Sequence, residues 1–276
     1  RMNEHEPNHP PKKVSKKKHG CLLPLLLFIV LIGIIAFFAF RFSVKGAFSK
    51  IKKYPLDKSN VTVNDTDTNI KDYQNIALFG VDSQDNKITD TGSRTDCIII
   101  ASIHKSNHKV KLMSIYRDTY VSIDGEYDKI NAAYSYGGPE LALRTINRNL
   151  DLNITDFATV NFKALADAVD VLGGIPLTIT SEKELKNLND YIGNMNHING
   201  GNSPKFDKVG TYTFDGNQAV AYSRIRYMEG GDHARANHQR LVLEGIMNAA
   251  KKQPFKLGKL ISTVLPQCKT SLSDND

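Results

Sequence analysis

Between Asn75 and Val121 three apolar runs alternate with polar connectors: Ile76–Val81, Cys97–Ile103 and Val110–Ile115. Each is short, rich in β-branched residues and bounded by turn-forming side chains, so each is expected to be a buried strand. If the first two pair antiparallel through Ser83–Ser93, the end of one lies beside the start of the next. A third strand parallel to the first ends at the same rim. The charges of this stretch sit at those ends: Asp82, Arg94, Asp96, Arg117 and Asp118. Asp82 and Asp96 are therefore expected to meet, with Arg117 arriving beside them. Arg94 and Asp96 are two apart and should share a side of extended chain.

Downstream, Asp124 and Gly125 mark a turn. Pro139–Leu150 reads as a helix, with proline at its first position and Leu143, Ile146 and Leu150 on one face. Phe157–Asn161 reads as a strand. Phe162–Leu172 reads as a helix with the apolar stripe Phe162, Leu165, Val169 and Leu172, capped by Gly173 and Gly174. Ile175–Thr180 is the next strand. Ser181–Val209 is polar and rich in Asn and Gly, and reads either as a mobile loop beside a substrate path or as an insertion with no role. Thr211–Asp215 and a helix-like Asn217–Ser223 lead to Arg224, Ile225 and Arg226. That spacing puts both guanidiniums on one side of extended chain and turns Ile225 to the core. Asp232 is expected to N-cap a helix from about His233 to Lys251, with Leu241, Val242, Ile246 and Ala249 as its core stripe. The alternation implies an α/β domain with a central mixed β-sheet flanked by helices.

Ahead of this domain, Cys21–Phe40 is uncharged and almost wholly apolar. Twenty helical residues span about 30 Å, the thickness of a hydrocarbon core, so a transmembrane helix is expected at 21–40. No small-residue cleavage site follows it, which favours an uncleaved anchor over a signal peptide. Residues 1–20 carry six basic and two acidic side chains. This tail belongs in the cytoplasm, and the chain after about residue 42 belongs outside the cell membrane. Residues 41–70 read as an extracytoplasmic spacer, and 71–276 as the folded domain. The whole chain has a formal charge of +7, but beyond the tail the balance is near neutral. That excludes a nucleic-acid footprint. Three cysteines make no disulfide framework; Cys97 and Cys268 are able to pair, although Cys97 reads better as a buried thiol.

Two carboxylates and several guanidiniums at one sheet edge suit a metal and a phosphorylated ligand, because Mg²⁺ takes one or two carboxylates plus phosphate oxygens and Arg matches phosphate with a planar fork. Surface ion pairs are the alternative. Lys129 is a candidate phosphate-binding cation, or equally a solvated lysine. Arg235 and Gln239 share a face at the start of the last helix, where phosphate is attracted. His238 has no partner at ligand spacing and reads as a surface or supporting residue. No zinc, P-loop, dinucleotide or nucleophile-elbow motif occurs.

Four blocks together resemble the LytR-CpsA-Psr family of cell-wall ligases: GVDSQ…GSRTDCIII, SIYRDTYV, KINAAYSYGG with VNFKALADAVDVLGGIPL, and FDGNQAVAYSRIRY…GGDHARANHQR. The resemblance covers about Asn75 to Lys251 and extends to the expected membrane topology. It implies α/β/α layers and a phosphotransferase. Such an enzyme attaches a glycopolymer (wall teichoic acid, capsule or a related polysaccharide) from an undecaprenyl-pyrophosphate carrier to peptidoglycan. It implies Mg²⁺, or Mn²⁺ in its place, on Asp82 and Asp96. It implies pyrophosphate contacts from Arg94, Arg117, Arg224, Arg226, Arg235 and Gln239, with Lys129 added from its block, and a lipid tunnel between sheet and helices. Arg117 and Asp82 are the catalytic candidates. Guanidinium is too basic to accept a proton, so Arg117 is assigned to charge stabilisation and Asp82 to orienting or deprotonating the acceptor hydroxyl. The chain departs from the family at Tyr116, where proline is usual, and at His238, where arginine is usual. The family domain extends past Asp276, so a clipped C-terminus is expected. A polyprenyl-pyrophosphate pyrophosphatase and a non-catalytic lipid-binding regulator at the membrane stay open as alternatives.

Overall fold

Alternation of apolar and polar side chains builds the centre of the molecule. The computed structural model describes residues 52–61, 64, 72–81, 88, 89, 91–199, 201–226 and 228–272. They belong to the compact unit Ser43–Asp276. The main sheet contains β1 (Lys52–Lys53), β2 (Tyr73–Val81), β3 (Thr95–His104), β4 (Val110–Ile115), β7 (Asp156–Asn161) and β10 (Lys269–Thr270). Its order is β1-β10-β7-β2-β3-β4. β2 pairs antiparallel with β3 and parallel with β7, and β3 pairs antiparallel with β4. The sheet is therefore mixed, and β4 runs with β2, the arrangement that brings the end charges to one rim.

One face of this sheet is filled. Ala77, Phe79, Val81, Ile98, Ile100 and Phe157 pack with Tyr134, Leu143 and Ile146 of helix α1 (Ala132–Leu150). The expected helix start at Pro139 is the restart of this longer helix. Gly137 and Gly138 leave helical geometry, Gly138 with φ of 65°, and Pro139 opens the second segment. Between β4 and α1 lies a hairpin, β5 (Tyr120–Ile123) with β6 (Glu126–Lys129).

The opposite sheet face meets helices α2 (Phe162–Leu172), α5 (Asp232–Lys252) and α6 (Leu257–Val264). Helix α2 is capped at its C-terminus as expected, and also at its N-terminus. Asn161 accepts from the Ala164 N–H at 2.9 Å, and Gly173 takes a left-handed φ of 83°. A second core joins α2, α5 and the pair β8 (Ile175–Ile179) with β9 (Gly210–Phe214) to helices α3 (Glu182–Asn199) and α4 (Gly216–Arg224). Asp215 and Gln218 form a capping box at the start of α4. A Cβ at Gly216 would collide with the Ala166 carbonyl oxygen, so glycine permits the close approach of α4 to α2.

Three expectations are corrected. Most of the stretch read as loop or insertion is helix α3, which buries Leu185, Leu188, Ile192 and Met195. Their spacing is helical, but intervening Asn, Lys and Asp hide it in composition. Helix α5 begins at Asp232 itself; Gly231 occupies the N-cap and no side chain caps the helix. The spacer over 41–70 is part of the fold where it is described. β1 pairs with β10, Val61 is buried, and Asn64 donates to the carbonyls of Asn147 and Leu152 at 2.8 and 2.9 Å. The expected membrane span at 21–40 lies outside the described residues. Among the described residues no helix is long and apolar enough to cross a membrane.

Leu188→Ala tests the role of α3. Truncating a fully buried leucine costs about 2–5 kcal/mol. Urea unfolding of the variant is expected to show that loss, whereas an unpacked insertion would show none.

Candidate functional site

Asp96 reaches the site through a bulge. The β2–β3 register runs Gly80 to Cys97 and then Val81 to Thr95, so Asp96 is the extra residue on its strand. Strand alternation would turn Asp96 away from the face that Cys97 occupies; a bulge re-aims a side chain at a sheet rim. Asp96 lines a polar cavity of about 220 Å³ with Arg224, Arg226, Arg235, Gln239, Ser223, Tyr191 and Phe162.

The remaining parts arrive from three further elements. Arg117, two residues past β4, donates to one Asp96 carboxylate oxygen at 2.5 Å, and Arg226 to the other at 3.3 Å. Gln239 donates to the Asp96 backbone carbonyl at 3.2 Å. Ile225 is fully buried, which sets Arg224 and Arg226 on the same side as the spacing implies. The Arg224 guanidinium lies 4.6 Å over the Phe162 ring. Asp232, expected as a cap, instead pairs with Arg235 and stands 3.7 Å from Arg117 Nε.

Among the described residues the site is short of negative charge. Arg235 is 3% exposed, and burial, followed by the charge of Arg117, pushes its pKa down. Buried Nε of Arg117 and Nε and Nη1 of Arg235 find no hydrogen-bond acceptor among the described residues. Orphaned donors on guanidinium are costly, and phosphate oxygens supply the acceptors and charge they lack. Among the described residues no cluster of three or more His, Cys, Asp or Glu side chains could hold a metal. Asp96 is a hard oxygen donor on the cavity wall, which suits an Mg²⁺ ion completed by phosphate oxygens and water. Asp82, its expected partner, lies outside the described residues.

An apolar cavity of about 250 Å³ adjoins the polar one. Leu78, Gly80, Cys97, Ile99, Ala158 and Val160 form its floor on the unfilled sheet face, and α2, α5 and α6 roof it. Phe162, Ser223 and Gln239 line both cavities. This is the sheet–helix location where the resemblance implies a tunnel. Cys97 faces this space and burial pushes its thiol pKa up to about 12; Cys97 and Cys268 are both free.

Three expected contacts do not line the cavity: Arg117, which meets it only through Asp96, and Arg94 and Lys129. Arg94 is exposed, and its charge acts on Asp128 and Tyr136. Lys129 pairs with Asp118 at 2.9 Å, and Asp118 lies 3.6 Å from Arg117 Nε. It is thus linked to the site through a carboxylate and does not line the cavity. Tyr191, Ser223 and Phe162 were not singled out as site residues; Tyr191 sits on α3, whose helical period was masked by polar residues.

His238 is buried, not on the surface. Its Nε2 lies 2.8 Å from Glu184 of α3, and its ring packs on Tyr222. Thr180 donates to the same carboxylate through its backbone N–H at 2.5 Å and its hydroxyl at 2.7 Å. Burial alone would raise the Glu184 pKa, but the hydrogen bonds from His238 and Thr180 reverse that and bring it to about 2. A depressed carboxylate pKa stabilises the fold above the unfolded value, here 4.5, and that stability is lost as pH falls toward 2. Wild type is therefore expected to exceed Glu184→Gln by about 1–3 kcal/mol at neutral pH. Urea titrations should show the gap closing on acidification below about pH 4.5.

Comparison with known proteins agrees with this architecture. The LytR_cpsA_psr family model matches residues 38–276. The polyisoprenyl-teichoic acid–peptidoglycan teichoic acid transferase TagU of Enterococcus faecalis is 30% identical over 270 residues, covering 96% of this chain and 81% of that protein. The solved structure of TagT bound to LI-WTA superposes with a TM-score of 0.59 at 29% identity, covering 78% of this chain and 75% of that one. The LytR-CPS2A-psr family protein YwtF (TagT) with bound octaprenyl pyrophosphate lipid gives a TM-score of 0.52 at 28% identity, covering 71% and 76%. With its mixed sheet, its paired cavities and a match over most of its length, this chain belongs to the LytR_cpsA_psr family.

Proposed function

We propose that this protein is a phosphotransferase that moves a teichoic-acid-like glycopolymer from a polyprenyl-pyrophosphate carrier, undecaprenyl in the cell, to peptidoglycan. A capsule or related polysaccharide fits the same chemistry. The observation that carries this reading is an apolar cavity that shares Phe162, Ser223 and Gln239 with an arginine-lined one. A lipid diphosphate has that polarity along its length. The transferase and lipid-bound relatives support the assignment. The domain acts outside the cell membrane, held by the apolar segment at 21–40.

In this reading Arg224, Arg226 and Arg235 hold the diphosphate, and Gln239 supports Asp96 at their rim. A peptidoglycan hydroxyl attacks the phosphorus bearing the glycan. A phosphodiester to the acceptor forms, the bond to the bridging oxygen breaks, and polyprenyl phosphate leaves with that electron pair. Asp82 orients the hydroxyl or takes its proton. Arg117 neutralises charge that grows on the phosphoryl oxygens, and positioning supplies most of the remaining rate. Asp82 and Asp96 would hold Mg²⁺, which supplies charge neutralisation on the diphosphate when bound. Lys129 acts at one remove, through Asp118 on Arg117.

Two variants test this assignment with labelled lipid-linked donor and peptidoglycan acceptor. Arg117→Ala is expected to lower transfer about 100- to 1,000-fold with the fold intact; normal turnover by it would refute the role. Ala168→Phe, which fills the apolar cavity, should raise half-saturation for the lipid-linked donor and leave a tail-less diphosphate analogue unaffected. Release of polyprenyl phosphate at the same rate without acceptor would favour a pyrophosphatase instead.

A further inference from the structure

The chemistry above leaves the two tyrosines on the outer face of the β5–β6 hairpin unused. Tyr120 and Tyr127 are 70% and 65% exposed there, with rings stacked at 5.6 Å and an interplanar angle of 28°. The register pairs Tyr120 with Lys129 and Ser122 with Tyr127. Alternation therefore puts these four residues on one face and the buried Val121 and Ile123 on the other.

The hairpin is secured by other contacts. Val121 and Ile123 join the core of the filled sheet face. The side chain of Asn149 receives the Ser122 N–H at 3.2 Å and donates to its carbonyl at 2.8 Å. Tyr136 donates its hydroxyl to Asp128 at 2.5 Å. The two stacked rings add a cross-strand contact, but most of their area faces water.

Their position ties them to the reaction. Tyr120 follows Arg117 by three residues, at most about 10 Å of chain. Lys129, on the same face, reaches Asp118 beside Arg117. A tyrosine face is apolar with a polar tip, and suits the C–H face of a sugar ring flanked by hydroxyls.

Charge chooses between the two glycans of the reaction. A teichoic-acid donor chain carries repeated phosphates and needs a cationic track. On the face that carries these rings the one charged hairpin residue is Lys129, which Asp118 neutralises; Glu126 and Asp128 lie on the opposite face by the same register. Arg94 adds one positive charge near Asp128. The face has no excess of cations, and fits the uncharged backbone of amino sugars in the acceptor.

We propose that Tyr120 and Tyr127 form a saccharide subsite that seats the glycan strand of peptidoglycan beside Arg117. This rests on the transferase reading. The subsite deepens that reading by naming where the acceptor binds.

The test uses the full chain in detergent with Tyr120→Thr/Tyr127→Thr, which keeps good strand-forming residues while removing both rings. Half-saturation for soluble glycan strands is expected to rise about tenfold or more. Half-saturation for the lipid-linked donor and the melting midpoint are expected to hold. Tyr120→Phe/Tyr127→Phe, which retains the rings, should keep acceptor affinity, and each single threonine variant should show part of the loss. Wild-type acceptor saturation in the double variant, or a shift that falls on the donor, would overturn the proposal. Co-sedimentation with insoluble peptidoglycan without donor separates the two readings. Wild type should be retained and the double variant released. Retention that ignores the tyrosines sinks the subsite while transfer stands; ring-dependent retention without transfer sinks the transferase and leaves the subsite.

Discussion

The carboxylate of Asp96 is the constraint on which the site depends. Arg117, Arg226 and Arg235 reach one small region, and their charges act on one another. Two like charges 4 Å apart repel by about 4 kcal/mol at the effective dielectric of a protein surface. Asp96 answers two of them, one with each oxygen, while Asp232 answers Arg235 and approaches Arg117. The same residue offers its backbone carbonyl to Gln239. A single bulged position thus fastens the end of β4, the link after α4 and the first turns of α5 to the rim of the sheet. Arginine donors left without acceptors show that the balance is incomplete, which is the condition for attracting an anion.

Local periodicity made much of this legible. The three apolar runs are strands, and their pairing is the one under which their end charges share a rim. Arg224, Ile225 and Arg226 obey the two-residue repeat, with the isoleucine buried between the cations. Features set by long-range contact were not legible. The bulge that turns Asp96 is a property of two strands in register, and neither strand announces it alone. Helix α3 carries a four-residue apolar stripe diluted by Asn and Lys, so composition suggested a loop. Asp232 has the side chain of a cap, but Arg235 and Arg117 compete for it. For His238 the pattern left a surface and a supporting role open, and Glu184, 54 positions earlier, decides for the second.

The two sheet faces show how the fold makes room for a ligand. On one, Phe79, Phe157 and Tyr134 interlock to exclude space. On the other, Gly80 and Ala158 of the sheet and Ala164 and Ala168 of α2 are too small to close the gap between them, and a void persists. Voids among apolar side chains forfeit contact energy. This one lies beside the charged chamber, where an apolar occupant restores the missing contacts.

In the proposed reading, the wall made by Phe162, Ser223 and Gln239 acts as a waterline. A molecule with an oily end sinks until its first polar atom meets that wall and goes no deeper. Depth, and with it the phosphorus presented to the outside, is indexed by where solubility changes along the ligand. The far end of a long tail does not enter into that measurement. Carriers of different lengths would all dock at one mark.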